Sequence, residues 1–208
     1  MQRAFSSGLK EATLLSKTTL MAVALVGLLA VVGYGVFKPS GTGSGGEGIE
    51  PYLVGEMAKL TVPAETQMLS DHIIMAESGE PKKLSAMKGR AMLINLWAPW
   101  CAPCRAEMKE LANLQHELGD DTFEVIAINV DRGGIRQAEE TLKEWGIEGL
   151  GLYAEPTMAI AFDLAEGALP TSFVVDRNGE IRALFLGPLA WDKPEGLALF
   201  EALKKGGL

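Results

Sequence analysis

The run AMLINLWAPWCAPCRAEMKELANLQHEL, residues 91–118, limits the fold more than any other part of this 208-residue chain. Its first seven residues are apolar but for one asparagine, the pattern of a short strand buried on both faces. Pro103 stands where a helix begins, because its fixed φ suits a first turn and its missing N–H costs nothing there. Met108, Leu111, Leu114 and Leu118 then recur every three or four positions, with Glu107, Lys109 and Glu110 between them. That spacing predicts an amphipathic helix ending near Gly119. Both cysteines of the chain, Cys101 and Cys104, sit at the strand-to-helix junction.

Two cysteines three apart suit a redox pair, half a metal site or a structural crosslink. All-cysteine zinc or iron–sulfur sites need about four ligands. His72 and His116, the only histidines, do not lie at zinc-finger spacing from the pair and are expected to be surface or satisfied residues. No metal ligand is therefore assigned. A crosslink closing so short a loop constrains the unfolded chain little. A redox dithiol is the leading reading. Cys101 should occupy the helix N-terminus, where unpaired amides and the helix dipole favour a thiolate. Cys104, one turn on, is more enclosed. Cys101 is thus expected to attack a partner disulfide and Cys104 to resolve the mixed disulfide, with no cofactor beyond the Cys101–Cys104 pair.

Upstream, TTLMAVALVGLLAVVGYGVF (18–37) is twenty uncharged residues between Lys17 and Lys38. As a helix it would span about 30 Å, the hydrocarbon thickness of a bilayer. Residues 1–38 hold four bases and one acid, whereas the rest holds 15 bases and 26 acids. The positive-inside rule places 1–17 in the cytoplasm, 18–37 as a single-pass membrane anchor, and the remainder on the outer side. The competing reading is a cleaved signal peptide, although the run exceeds the usual core of about 7–15 residues. PSGTGSGGEG follows, and Gly41, Gly43 and Gly46 formally satisfy a dinucleotide fingerprint. That motif needs a strand before it and a helix after it, so 38–49 reads as a flexible linker instead. The net charge of −8 argues against a nucleic-acid partner.

Residues 50–208 form the predicted soluble domain. Weak strands are expected at 59–63 and 71–76, the latter in a hairpin turning at Ser78-Gly79-Glu80-Pro81. Buried strands follow at 91–97 and 123–130, a helix at 135–145, a short strand at 149–153 and a helix at 156–164. Residues 171–175 and 180–186 read as a hairpin around an Asn-Gly turn, and 197–203 as a closing helix. Strands alternating with helices imply an α/β sandwich.

WAPWCAPCRAEM followed by ALPTSFVVDRNGEI resembles the thioredoxin superfamily, and within it the membrane-anchored TlpA/ResA group of thiol–disulfide interchange proteins, TlpA above all. The resemblance covers essentially all of 50–208. It implies a three-layer α/β/α sandwich with an N-terminal β-hairpin and an extra helix–strand insert, here 135–153. Trp97 and Trp100 match aromatics that pack beneath and beside the motif. Pro170, within Leu169-Pro170-Thr171, matches a cis proline facing the sulfurs, where Leu169 would pair with an extended client peptide. Trp100, Ala102, Pro103, Leu169, Pro170 and Thr171 are accordingly the expected client-binding residues. Thioredoxin's buried aspartate is replaced by Asn95 and its partner lysine by Ala127, so both halves of an ion pair are gone. Glu107 matches the active-site glutamate of ResA-like proteins. Either it assists proton transfer at Cys104 with a pKa raised by partial burial, or it is a solvated helix residue.

Ala102-Pro103 supplies no histidine to stabilise a thiolate, which predicts a reductant rather than an oxidant. A reductant in an oxidising compartment needs electrons from across the membrane. The resemblance implies a transmembrane thiol donor. Its implied clients are apocytochrome c, or copper-delivery and copper-site proteins of cytochrome oxidase. The chain is expected to act as a monomer. The rivals are a Cu(I) metallochaperone using the same two thiolates, distinguished by copper titration, and a thiol peroxidase, distinguished by peroxide consumption.

Overall fold

The computed structural model describes residues 48–206 and Leu208. The expected cytoplasmic segment and anchor, and all but the last two residues of the expected linker, lie outside the described residues. Among those described, no helix is long and apolar enough to cross a membrane. Ile49, at the end of the expected linker, is already buried in the core.

Eight strands form one mixed sheet: β1 (Gln67–Met68), β2 (Ile73–Ala76), β3 (Pro81–Lys83), β4 (Ala91–Trp97), β5 (Phe123–Asn129), β6 (Gly151–Ala154), β7 (Thr171–Val175) and β8 (Glu180–Leu186). Their order across the sheet is β1-β8-β7-β4-β5-β6-β2-β3. Among the described residues, four α-helices flank the sheet: α1 (Ala102–Leu118), α2 (Gly134–Glu144), α3 (Ala159–Ala165) and α4 (Pro194–Lys205). β4 lies at the centre, parallel to β5 and antiparallel to β7, and all seven of its residues are buried. Its almost unbroken apolar run follows from having both faces covered.

The alternating side chains of the central strands feed two cores. Leu93, Trp97, Phe123 and Val125 pack with α1, α2 and α4, where the Phe123 and Phe200 rings lie 4.9 Å apart. Ile94, Leu96, Ile126 and Ile128 pack on the opposite face with α3 and Leu84. The sandwich is therefore three-layered, with the heavier layer on the α1 side. The hairpin β2–β3 and the insert α2–β6 are both present, and β2 pairs with β6 at the edge the insert creates.

Two local features depart from the sequence reading. Residues 59–63 are not a strand: Gly55–Lys59 is a 3-10 helix, and only Thr61 bridges, exchanging hydrogen bonds with Leu184. Pro63 has no N–H to extend the pairing. β1 was not expected, since Gln67 and Met68 are both exposed and show no alternation to detect. The expected β7–β8 hairpin is present with its turn at Asn178-Gly179, where Gly179 alone takes a positive φ, 85°. Asp176 N–H donates to Glu180 O at 3.0 Å around the three residues 177–179, and the pairing slips between Val174 and Val175.

Candidate functional site

β4 ends at Trp97, and Cys101 forms the N-cap of α1 with an extended backbone. Cys101 and Cys104 are joined as a disulfide, and the Cys104 N–H donates to Cys101 Sγ at 3.3 Å. This amide is one of the orphan donors of the helix start, and it is the group that favours negative charge on that sulfur. Cys101 retains slight exposure and Cys104 has none, so of the two cysteines only the first meets solvent. Ala102 and Pro103 are exposed beside it.

The two flanking indoles behave differently. Trp97 is fully buried, with its ring 5.5 Å from that of Trp145. Trp100 is 62% exposed and held in place by donating its Nε1 proton to Asp131 Oδ2 at 3.0 Å. Leu169-Pro170 is a cis peptide bond. Register places it: Thr171 on β7 pairs with Leu96 on β4, so the proline lies at the same sheet end as the cysteines. Leu169 is half-buried, while Pro170 and Thr171 are buried, and the Thr171 hydroxyl donates to Ala168 O at 2.8 Å. Thr171 therefore braces the proline loop, and its side chain is not a surface for a client.

Beneath the disulfide lies a polar cluster inside the core. Asn95 pairs across the strands with Ala127 on β5 and Ser172 on β7, so no cation faces the position of the missing acid. Its Nδ2 donates to Glu107 Oε1 at 2.8 Å and to Ser172 Oγ at 2.9 Å. Glu107 is 2% exposed, which rules out the solvated reading. Its Oε2 accepts from the Leu189 backbone N–H at 3.0 Å and from Trp191 Nε1 at 3.3 Å. Burial pushes the Glu107 carboxyl up from 4.5 to about 7, against the lowering pull of Leu189, Asn95 and Trp191, with the Glu110 charge adding to the rise. A pocket of about 150 Å³ between the first turns of α1 and residues 188–190 reaches Glu107 and Glu110.

A carboxyl poised near neutrality, three residues after Cys104 on the same helix, suits proton exchange with that thiol. Sequence reasoning missed Ser172, Leu189 and Trp191, whose roles depend on the β7 register and on a loop about 80 residues from Glu107. The one available signal was a tryptophan in a Gly-Pro-rich loop, since buried indoles seek an acceptor. His72 is held by Ser70 and Asp163, and His116 is exposed, so neither approaches the cysteines. Among the described residues, no group of three or more His, Cys, Asp or Glu side chains is placed to hold a metal ion.

Comparison with known proteins gives a consistent picture. A family model described as Redoxin matches residues 60–198. ResA, a thiol-disulfide oxidoreductase of Geobacillus kaustophilus, is 24% identical over 181 residues, covering 86% of this chain and 91% of that protein. HelX, a thiol:disulfide interchange protein of Rhodobacter capsulatus, is 36% identical over 104 residues, 50% of this chain and 56% of HelX. The thioredoxin-like protein YneN of Bacillus subtilis is 30% identical, with 60% and 73% covered. Among solved structures, a DsbF homologue from Corynebacterium diphtheriae superposes with a TM-score of 0.55 at 24% identity, over 71% of this chain and 92% of that one. The thioredoxin domain of a Bacteroides vulgatus thiol-disulfide oxidoreductase gives 0.52 at 18% identity, over 68% and 96%. These two likenesses establish the fold.

Proposed function

The chain belongs to the Redoxin family and is a thiol–disulfide oxidoreductase, and from that premise we propose that it works as a membrane-anchored reductant of client disulfides. The observation that carries the proposal is the asymmetry of the pair: one cysteine capping the helix tip with slight exposure, the other fully buried one turn below. The Cys101 thiolate attacks a client disulfide, forming a mixed disulfide and releasing the first client thiolate. Cys104 then gives its proton to Glu107, attacks Cys101 Sγ, and releases the second client thiolate. The client gains two electrons and the Cys101–Cys104 bond forms. A transmembrane thiol carrier reverses these steps to recharge the protein.

The direction of flow is supported by Ala102-Pro103, exposed and uncharged, which gives the Cys101 thiolate no cationic partner. Residues 18–37 serve as the anchor, with the N-terminus in the cytoplasm and the catalytic domain in the periplasm, as the charge bias across that run supports. Trp100, Ala102, Pro103 and Leu169 receive an extended client segment, and Pro170 and Thr171 shape the loop behind it. The clients are apocytochrome c, or copper-delivery and copper-site proteins of cytochrome oxidase.

Cys104→Ser tests the proposal directly. It should accumulate mixed disulfides through Cys101, and mass spectrometry of the captured proteins identifies the clients. Absence of any trapped client, or an equilibrium potential against glutathione well above about −200 mV, rejects the reductant reading.

A further inference from the structure

Glu107 meets three donors and no acceptor. Leu189 N–H and Trp191 Nε1–H point at Oε2, and Asn95 Nδ2 at Oε1, an arrangement that suits a carboxylate. Once protonated, the same group needs an acceptor for its O–H. A backbone N–H and an indole N–H can never provide one. Asn95 differs, because its amide carries a donor nitrogen and an acceptor oxygen on arms of similar size. At present Nδ2 spends its hydrogens on Glu107 and Ser172, while Oδ1 is buried without a partner. Turned by half a revolution about its last torsion, the side chain brings Oδ1 to both neighbours instead. Its two lone pairs then accept from the Glu107 O–H and the Ser172 hydroxyl, which donates as readily as it accepts. Each orientation leaves one polar atom of the amide unpaired, so that cost does not choose between them. The proton on Glu107 does.

We propose that Asn95 and Ser172 are positioning residues that turn with the proton on Glu107, offering a donor to the carboxylate and an acceptor to the acid. This rests on the reading of Glu107 as the proton carrier for Cys104. When Cys104 gives up its proton, Glu107 Oε1 takes it, the Asn95 amide rotates and the Ser172 hydroxyl reorients. The electron pair left on Cys104 forms the bond to Cys101, and the client thiolate departs. No other charged group competes from the elements that touch Glu107. Its own helix contributes Glu110 and Cys104, while Arg105 and Lys109 on the same turns are exposed to solvent. β4 and β7 contribute Asn95 and Ser172, and the loop contributes Leu189 and Trp191. Asp192, next along that loop, is held by Asn113 at 2.8 Å.

The test is nuclear magnetic resonance on the full oxidised chain in detergent micelles, titrated from about pH 5.5 to 8.5 around the expected Glu107 midpoint. The Glu107 carboxyl carbon and the Asn95 side-chain amide resonances should move with one midpoint. The Overhauser contact from the Asn95 amide hydrogens to the Ser172 β-hydrogens should weaken on the acid side. If Glu107 titrates while the Asn95 signals and contacts stay fixed, the rotation is wrong and Glu107 remains the proton carrier. If Glu107 does not titrate in this range, both ideas fail together. Glu107→Gln supplies an independent check, because an amide nitrogen in place of Oε1 mimics the acid. It should hold Asn95 in the rotated orientation at every pH, and an unrotated contact pattern in that variant overturns the proposal.

Discussion

Strand β7 has a buried carboxylate near each end, and the two are treated in opposite ways. At the far end Asp176 is 3% exposed, and its Oδ1 accepts from the backbone N–H groups of Asn178 and Glu180. Arg182 Nη1 stands 3.7 Å from its other oxygen. At the cysteine end Glu107 is equally buried and also hydrogen-bonded, but among the described residues no cation stands against it. A carboxylate tied to turn amides and a guanidinium is a fastener. One buried with neutral donors alone is pushed up toward neutrality, the range that the proposed proton exchange needs. Burial by itself therefore does not mark a chemical group; the charge of its partners does.

The largest expected effect is read through pH at Glu107. Between 4.5 and about 7 the folded oxidised protein binds a proton at Glu107 that the unfolded chain has released. Stability should consequently fall as pH rises through that window, by roughly 3 kcal/mol in all. Glu107→Gln should remove that slope, as read by urea denaturation at several pH values, and an unchanged slope breaks the comparison. Next in size, Asp176→Ala should cost about 2 kcal/mol at neutral pH through the lost charge-assisted bonds of its turn. Its disulfide-exchange rate should match the parent's, and a slowed exchange would erase the distinction between fastener and proton carrier. The smallest effect sharpens the picture at the rim. Trp100→Ala should change stability by no more than about 0.5 kcal/mol, because the ring is exposed, yet weaken client capture. Equal loss of stability and capture would make Trp100 a structural residue instead.

Much of this was written in local pattern. β4 and α1 announce themselves through an unbroken apolar run and a three-to-four repeat, and the cysteines inherit their geometry from that junction. Pro170 was legible only through its match to a known motif. What sequence could not supply was long-range pairing: that Ser172 would stand opposite Asn95, or that Leu189 and Trp191 would return to Glu107 from the far end of the chain. Those contacts are fixed by strand register and loop path, for which neighbouring residues carry no periodic signal. β1 escaped for a related reason, since an exposed two-residue edge pairing leaves no alternation behind.

The four tryptophans have a practical consequence. Trp97 and Trp100 flank the disulfide in sequence, Trp145 packs on Trp97, and Trp191 donates to Glu107. Every indole of the chain thus reports on the site or its support, with no distant fluorophore to dilute the signal. Emission intensity should follow opening of the disulfide, and exchange of Trp191 for phenylalanine should isolate the component that senses Glu107. The protein carries its own optical gauge of redox state.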